Sequence, residues 1–195
     1  MSAKIIRKGR AIDSETCQFR RRLLQIGIGA TASLAMPNAF ANMLKQPERS
    51  IALLNLHTGE HVKATYWAEG QYQSSELAAI NRVLRDHRTG DINDIDSNLI
   101  EMLNLLHHKM LGKQPFHVIS GYRSPKTNAL LRQNSDGVAK KSLHMQGKAI
   151  DVRLPGRELN ELQKSALNLK VGGVGYYPGS DFIHIDTGRV RNWQG

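Results

Sequence analysis

Three consecutive arginines, Arg20, Arg21 and Arg22, run into an apolar stretch over residues 23–36, and this junction decides how much of the chain is left to fold. The stretch is rich in Gly, Ala and Leu. Pro37 breaks it, and Ala39-Phe40-Ala41 follows with the small-x-small pattern of a signal-peptidase exit. A basic head, a short apolar middle and a small-residue exit predict a cleavable export signal over residues 1–41. Spanning a bilayer takes about 20 apolar residues, so no membrane span is expected to remain after cleavage. The folding unit is then residues 42–195, one domain by length and large enough for its own core.

The arginine run before a mild apolar stretch resembles a twin-arginine signal, which implies a periplasmic destination. Its loss also changes the charge. The 27 basic and 17 acidic residues of the full sequence become 20 and 15 from Asn42 onward, so a formal +10 falls to +5. No aromatic platform is interleaved with the remaining basic residues, and no nucleic-acid partner is expected. A modest positive charge suits work beside an acidic polymer such as a bacterial cell wall. Cys17, the one cysteine, leaves with the signal. What remains has no thiol nucleophile, and any metal must be held by His, Asp or Glu.

Residues 51–56 and 62–67 flank His57-Thr58-Gly59-Glu60 and predict a β-hairpin. Apolar spacing predicts a helix from Ser74 or Ser75 through Leu84, and a second from Asp96 or Ser97 through Met110. Pro125 opens a third, since proline is at home in a first turn, and residues 158–169 form a fourth. Strands are expected over residues 116–120, 149–154, 174–177 and 182–186. The order predicts an α+β domain: a small antiparallel β-sheet with helices packed on one side.

Two segments carry the chemistry, residues 142–151 and residues 181–186. A thiol-free zinc site needs imidazoles and a carboxylate, three groups in all, with a fourth position left open. His144, Asp151 and His184 would supply that set. In Ile150-Asp151-Val152 the carboxylate points opposite to its apolar neighbours, and His184 and Asp186 share one strand face. On spacing alone, residues so far apart fit ordinary surface pairs as well as a metal site.

Ser142, His144, Gly147, Ala149 and Asp151, with a strand histidine 33 residues after Asp151, form a pattern that resembles the M15 family of zinc peptidases. Residues 120–124 (SGYRS), 172–178 (GGVGYYP) and 182–188 (FIHIDTG) are similar to segments of its murein endopeptidase K group. The resemblance spans residues 51–193. It implies the hedgehog/D-Ala-D-Ala peptidase-like fold and one zinc ion on His144, Asp151 and His184. It also implies peptidoglycan stem peptides as substrate and hydrolysis of a peptide cross-link, with a diaminopimelate–diaminopimelate link as the target it points to. A monomer is expected. Arg123 matches a family arginine and would pair with a substrate carboxylate or the oxyanion. Ser142 would steady the His144 loop by a hydrogen bond or simply cap it. Many members carry Glu three residues before the last zinc histidine, where this chain has Asp181. The general base is therefore expected at Asp186 or at Asp181. The same departure leaves open a non-catalytic wall-binding protein of this fold, and a murein carboxypeptidase. His57, His61, His107 and His108 read as surface residues, and His117 as a strand residue that could line the cleft. Gly172, Gly173 and Gly175 are expected to let substrate approach the sheet backbone. Tyr176 and Tyr177 are expected in the core or in the cleft wall.

Overall fold

The computed structural model describes residues 46–135 and 137–195, and the export signal expected over residues 1–41 lies outside them. The predicted hairpin forms from β1 (Arg49–Asn55) and β2 (His61–Ala68), and a two-residue strand, β3 (Gln71–Tyr72), folds back on β2. Four helices follow among the described residues: α1 (Ser74–Val83), α2 (Ser97–Lys109), α3 (Pro125–Asn134) and α4 (Leu159–Leu169). Interleaved with them, and after them, run β4 (Phe116–Ser120), β5 (Ala149–Arg153), β6 (Gly173–Tyr177), β7 (Phe182–Asp186) and β8 (Arg191–Gln194).

Two helix starts follow the expected chemistry. The Asp96 carboxylate accepts the Asn98 N–H at 2.9 Å to cap α2, and the Ser124 hydroxyl caps α3 with Pro125 in the first turn. At α1 the capping position is Gln73 rather than either serine, and its side chain donates to the Ala68 carbonyl instead.

The eight strands join one sheet in the order β3-β2-β1-β4-β5-β7-β6-β8. The α+β class holds, but the sheet is larger than expected and mixed rather than antiparallel: β1–β4 and β6–β8 pair parallel. The chain between β1 and β4 carries β2, β3, α1 and α2, a connection long enough for the crossover that parallel pairing requires. For β8, the hairpin of β6 and β7 reverses the chain once, so a strand returning beside β6 must run parallel to it.

The period-2 alternation of strands gives the sheet two different faces. Leu53, Phe116, Val118, Ile150, Val152, Ile183 and Ile185 share one, and none is more than 1% exposed. Helices α1, α2 and α4 pack on the sheet, burying Ile80, Leu103, Leu106, Leu162 and Ala166. Each such side chain contributes roughly 1.5–3 kcal/mol by leaving water. On the other face, strand register makes Ser120, Asp151, His184, Gly175 and Trp193 successive cross-strand neighbours.

Candidate metal centre

Asp151 on β5 and His184 on β7 are directly opposite each other in the antiparallel ladder, so pairing alone brings a carboxylate and an imidazole together. His144 arrives from a short 3-10 turn, Leu143–Gln146, just before β5. Ser142 caps this turn, its hydroxyl accepting the His144 N–H at 3.4 Å. Gly147 ends the turn at φ +66°, against the Asp94 carbonyl, and its own carbonyl accepts the Asp96 N–H at 2.9 Å. A side chain there would be strained in backbone and would collide with Asp94, so glycine is required for the turn to dock on the start of α2.

The Ser120–Ser124 loop supplies the third support. The Gly121 carbonyl accepts from His144 Nδ1 at 2.8 Å, while the Arg123 N–H donates to the His144 carbonyl at 3.2 Å. The loop is itself anchored: Tyr122 N–H donates to the Leu84 carbonyl at 2.7 Å, and Ser124 N–H to Asp86 Oδ2 at 2.8 Å. Burial works against the charge of Asp86. Hydrogen bonds from Thr127, Ser124 and Arg88 outweigh it and hold the carboxyl below the usual carboxylate range.

The three groups converge on one point. His144 Nε2 lies 3.2 Å from His184 Nδ1, His184 Nδ1 lies 2.8 Å from Asp151 Oδ1, and His144 Nε2 lies 3.4 Å from Asp151 Oδ1. The far nitrogens are occupied. A carbonyl only accepts, so the His144 Nδ1 facing Gly121 carries its hydrogen and Nε2 presents a lone pair. His184 Nε2 donates to Asp186 Oδ2 at 3.0 Å, which turns Nδ1 toward the other two groups. Electron-rich atoms packed this closely require a positive charge among them, either a proton on His184 or a metal ion. The electrostatics agree. Burial opposes charge on His184, but the bonds to Asp151 and Asp186 prevail and pull its pKa up to about 9. Burial likewise opposes charge on Asp151, yet the two imidazoles hold its carboxyl below the usual range.

Asp186 is fully buried and saturated. Its Oδ1 accepts from the N–H groups of Gly173 and Gly188 at 3.1 and 2.8 Å and from Arg191 Nη1 at 3.0 Å. Its Oδ2 accepts from His184 and, at 2.6 Å, from Arg191 Nη2. A carboxylate so engaged has every lone pair occupied, and through Oδ2 it fixes the ring of His184. Asp181, the other expected candidate, is engaged elsewhere. It sits at φ +52° in the turn before β7, 62% exposed at its side chain, with its carboxylate on Arg153 Nη1 at 2.6 Å. Arg123 lies beside the three groups. Its Nη2 lies 3.9 Å from Asp151 Oδ2 and donates to the Ser120 hydroxyl at 3.3 Å.

The glycines of β6 prove to have a different use from the one expected. A Cβ at Gly175 would lie 2.6 Å from the Trp193 ring, and one at Gly173 would meet the Arg191 guanidinium. The bare backbone leaves room for side chains of β8 to lie across the sheet, not for substrate. Trp193 reaches His184 at 5.2 Å between ring centroids, and its indole N–H donates to the Tyr177 hydroxyl at 2.8 Å. Tyr177 in turn stacks on Phe182 at 4.6 Å. These aromatics, with Arg123, His144 and Leu143, line a cavity of about 490 Å³ over the three groups.

A family model described as peptidoglycan L,D-endopeptidase MepK matches residues 44–193, and thus all three groups and the loops that hold them. The chain belongs to this family. The peptidoglycan L,D-endopeptidase MepK of Escherichia coli (strain K12) is 44% identical over 175 residues, covering 89% of this chain and 96% of that protein. The Shigella flexneri protein of the same name gives the same figures. A probable peptidoglycan L,D-endopeptidase MepK of Haemophilus influenzae is 39% identical over 180 residues, 91% of this chain and 97% of its own.

For this family member, sequence reasoning missed Arg191 and Trp193, because Arg191–Gln194 shows no strand alternation and its role depends on landing beside β6. Asp186 pairs with Arg191, which shares a strand face with Trp193. Of the two tyrosines, Tyr177 belongs to the cavity wall. His57 and His61 are exposed, as expected, while His107 bonds the Gln114 carbonyl at 2.9 Å. His117 lines a neighbouring cavity.

Proposed function

We propose that this chain is a zinc-dependent, periplasmic peptidoglycan endopeptidase that cuts a bond between an L- and a D-centre, the kind found in a diaminopimelate–diaminopimelate cross-link. The observation that carries the reading is the convergence of His144 Nε2, His184 Nδ1 and Asp151 Oδ1, with both outer nitrogens occupied. Tetrahedral zinc with bonds of about 2.0–2.1 Å separates its ligands by about 3.3 Å, close to the edges observed here. Two imidazoles and one carboxylate are also the donor set of hydrolytic zinc sites, with a position left for substrate. The relatives' names support the substrate class, and none of them favours the wall-binding or carboxypeptidase alternatives.

When bound, zinc supplies Lewis acidity to the scissile carbonyl and to the attacking water. The chain's own residues do the rest. The Gly121 carbonyl and the Asp186 carboxylate fix the two imidazoles in the orientation that presents the right nitrogen. Arg123, pre-set by the Asp86-anchored loop, offers a permanently charged fork to a substrate carboxylate or to the developing oxyanion. Trp193, Tyr177 and Phe182 wall one side of the cavity and give a bound peptide an apolar surface.

In the same reading, residues 1–41 are a twin-arginine export signal and the working enzyme starts at Asn42. Among the described residues, no helix is long and apolar enough to cross a membrane. The test is digestion of purified cross-linked muropeptides by the zinc-loaded protein, with and without chelator. Cleavage that stops on chelation and returns with zinc is expected. Intact cross-links in the presence of zinc would refute the assignment.

A further inference from the structure

We propose that the cavity lined by His117, Arg153, Arg157 and Asp181 is a second substrate subsite, one that takes a carboxylate on the stem-peptide segment lying beyond the scissile bond. The inference rests on the peptidoglycan reading above and extends it from the bond cut to the substrate recognised.

The placement follows from strand geometry. Arg153 is two residues past Asp151 on β5, so it projects from the same open face about 7 Å further along. His117 on β4 is its direct cross-strand neighbour. The turn after β5 brings Pro155, Gly156 and Arg157 around to enclose about 380 Å³. A peptide lying extended over the metal group advances at the same rise per residue, so a group about two residues from the scissile bond reaches this cavity.

The chemistry favours an anion. Two arginines line the cavity against one acidic residue, although Arg157 gives Nη2 to the Leu111 carbonyl at 2.7 Å. Arg153 gives Nη1 to Asp181 at 2.6 Å, and among the described residues its Nη2 and Nε make no hydrogen bond. One edge of a planar fork is thus left for a second carboxylate. His117 Nδ1 is buried and has no partner among the described residues, a state that folded proteins rarely leave without a reason. Burial, and then the Arg153 charge, lower the pKa of this imidazole, so it lines the cavity without adding charge. Asp181 holds Arg153 in place and competes for it. Its carboxylate is the one group in the cavity that a substrate carboxylate must displace or share with.

An exposed ion pair that merely staples the turn makes a different prediction, and the signs separate the two. The zinc-loaded full chain is assayed on a cross-linked muropeptide and on its counterpart amidated at the outer carboxylate. If the cavity is a subsite, Arg153→Ala raises KM for the free-carboxylate substrate about tenfold or more, with the effect in KM rather than kcat, and the amidated substrate does not register the change. Asp181→Asn, by freeing the fork, lowers KM. A staple predicts that both variants act alike on both substrates, and that result would overturn the subsite. So would a collapse of kcat in Asp181→Asn, which would return Asp181 to the chemistry. Titration with an uncross-linked muropeptide, followed by the His117 imidazole resonances, reads the subsite without turnover. A shift that Arg153→Ala abolishes supports it even if no cross-link is cut, whereas unmoved resonances overturn it whether or not the enzyme is active.

Discussion

Ile150 and Asp151 are consecutive on β5 and both are buried, for opposite reasons. Ile150 is in the apolar layer between sheet and helices, where shape and area are what count. Asp151 is shielded by loops, two histidines and Arg123, and its burial is tolerated because every neighbour compensates its charge. One face of the sheet is built to exclude water from hydrocarbon, the other to keep a concentrated set of polar atoms dry and aligned. The comparison teaches that stability and chemistry are separable here, residue by residue along a single strand.

The strongest test of that separation is on the polar face. His184→Ala should reduce hydrolysis by about 10³-fold or more, the scale of several kcal/mol of lost charge stabilisation, while far-ultraviolet circular dichroism retains the native spectrum. Loss of the fold along with activity would show the two faces to be coupled. Ile150→Ala reverses the pattern: a stability loss of about 2–5 kcal/mol in urea unfolding, with metal stoichiometry intact below the transition. Asp186→Asn keeps the shape but weakens the hold on His184, and competition against a chromophoric chelator should show metal affinity lower by about 10–100-fold. An unchanged affinity would reduce Asp186 to a partner of Arg191. The smallest effect is expected from Arg123→Lys, which keeps the charge but not the fork. KM for cross-linked substrate should rise about tenfold, and a KM equal to that of the parent would remove Arg123 from substrate binding.

What could be read in advance divides along the same line. Alternation in Ala149–Arg153 and Phe182–Asp186 places Asp151 and His184 each opposite its apolar neighbours from sequence alone, because side-chain direction in a strand is local. The caps of α2 and α3 are local too, since Asp96 and Ser124 bond N–H groups two and three residues on. The parallel pairing of β1 with β4 was not legible, because its partners are more than 60 residues apart and only the helices between them force the crossover. The surroundings of Asp186 were not legible for a related reason: its saturation depends on Gly173, Gly188 and Arg191, none of which the strand pattern announces. The glycines of β6 were read as an opening when they are a space already filled by β8.

Metal content is the most direct check on the central claim, that His144, Asp151 and His184 together hold one ion. The mature protein and its His144→Ala variant, purified side by side and analysed by inductively coupled plasma mass spectrometry, should differ by one zinc per chain, present in the first and absent from the second. Equal zinc in both, or none in either after incubation with the metal, would contradict it.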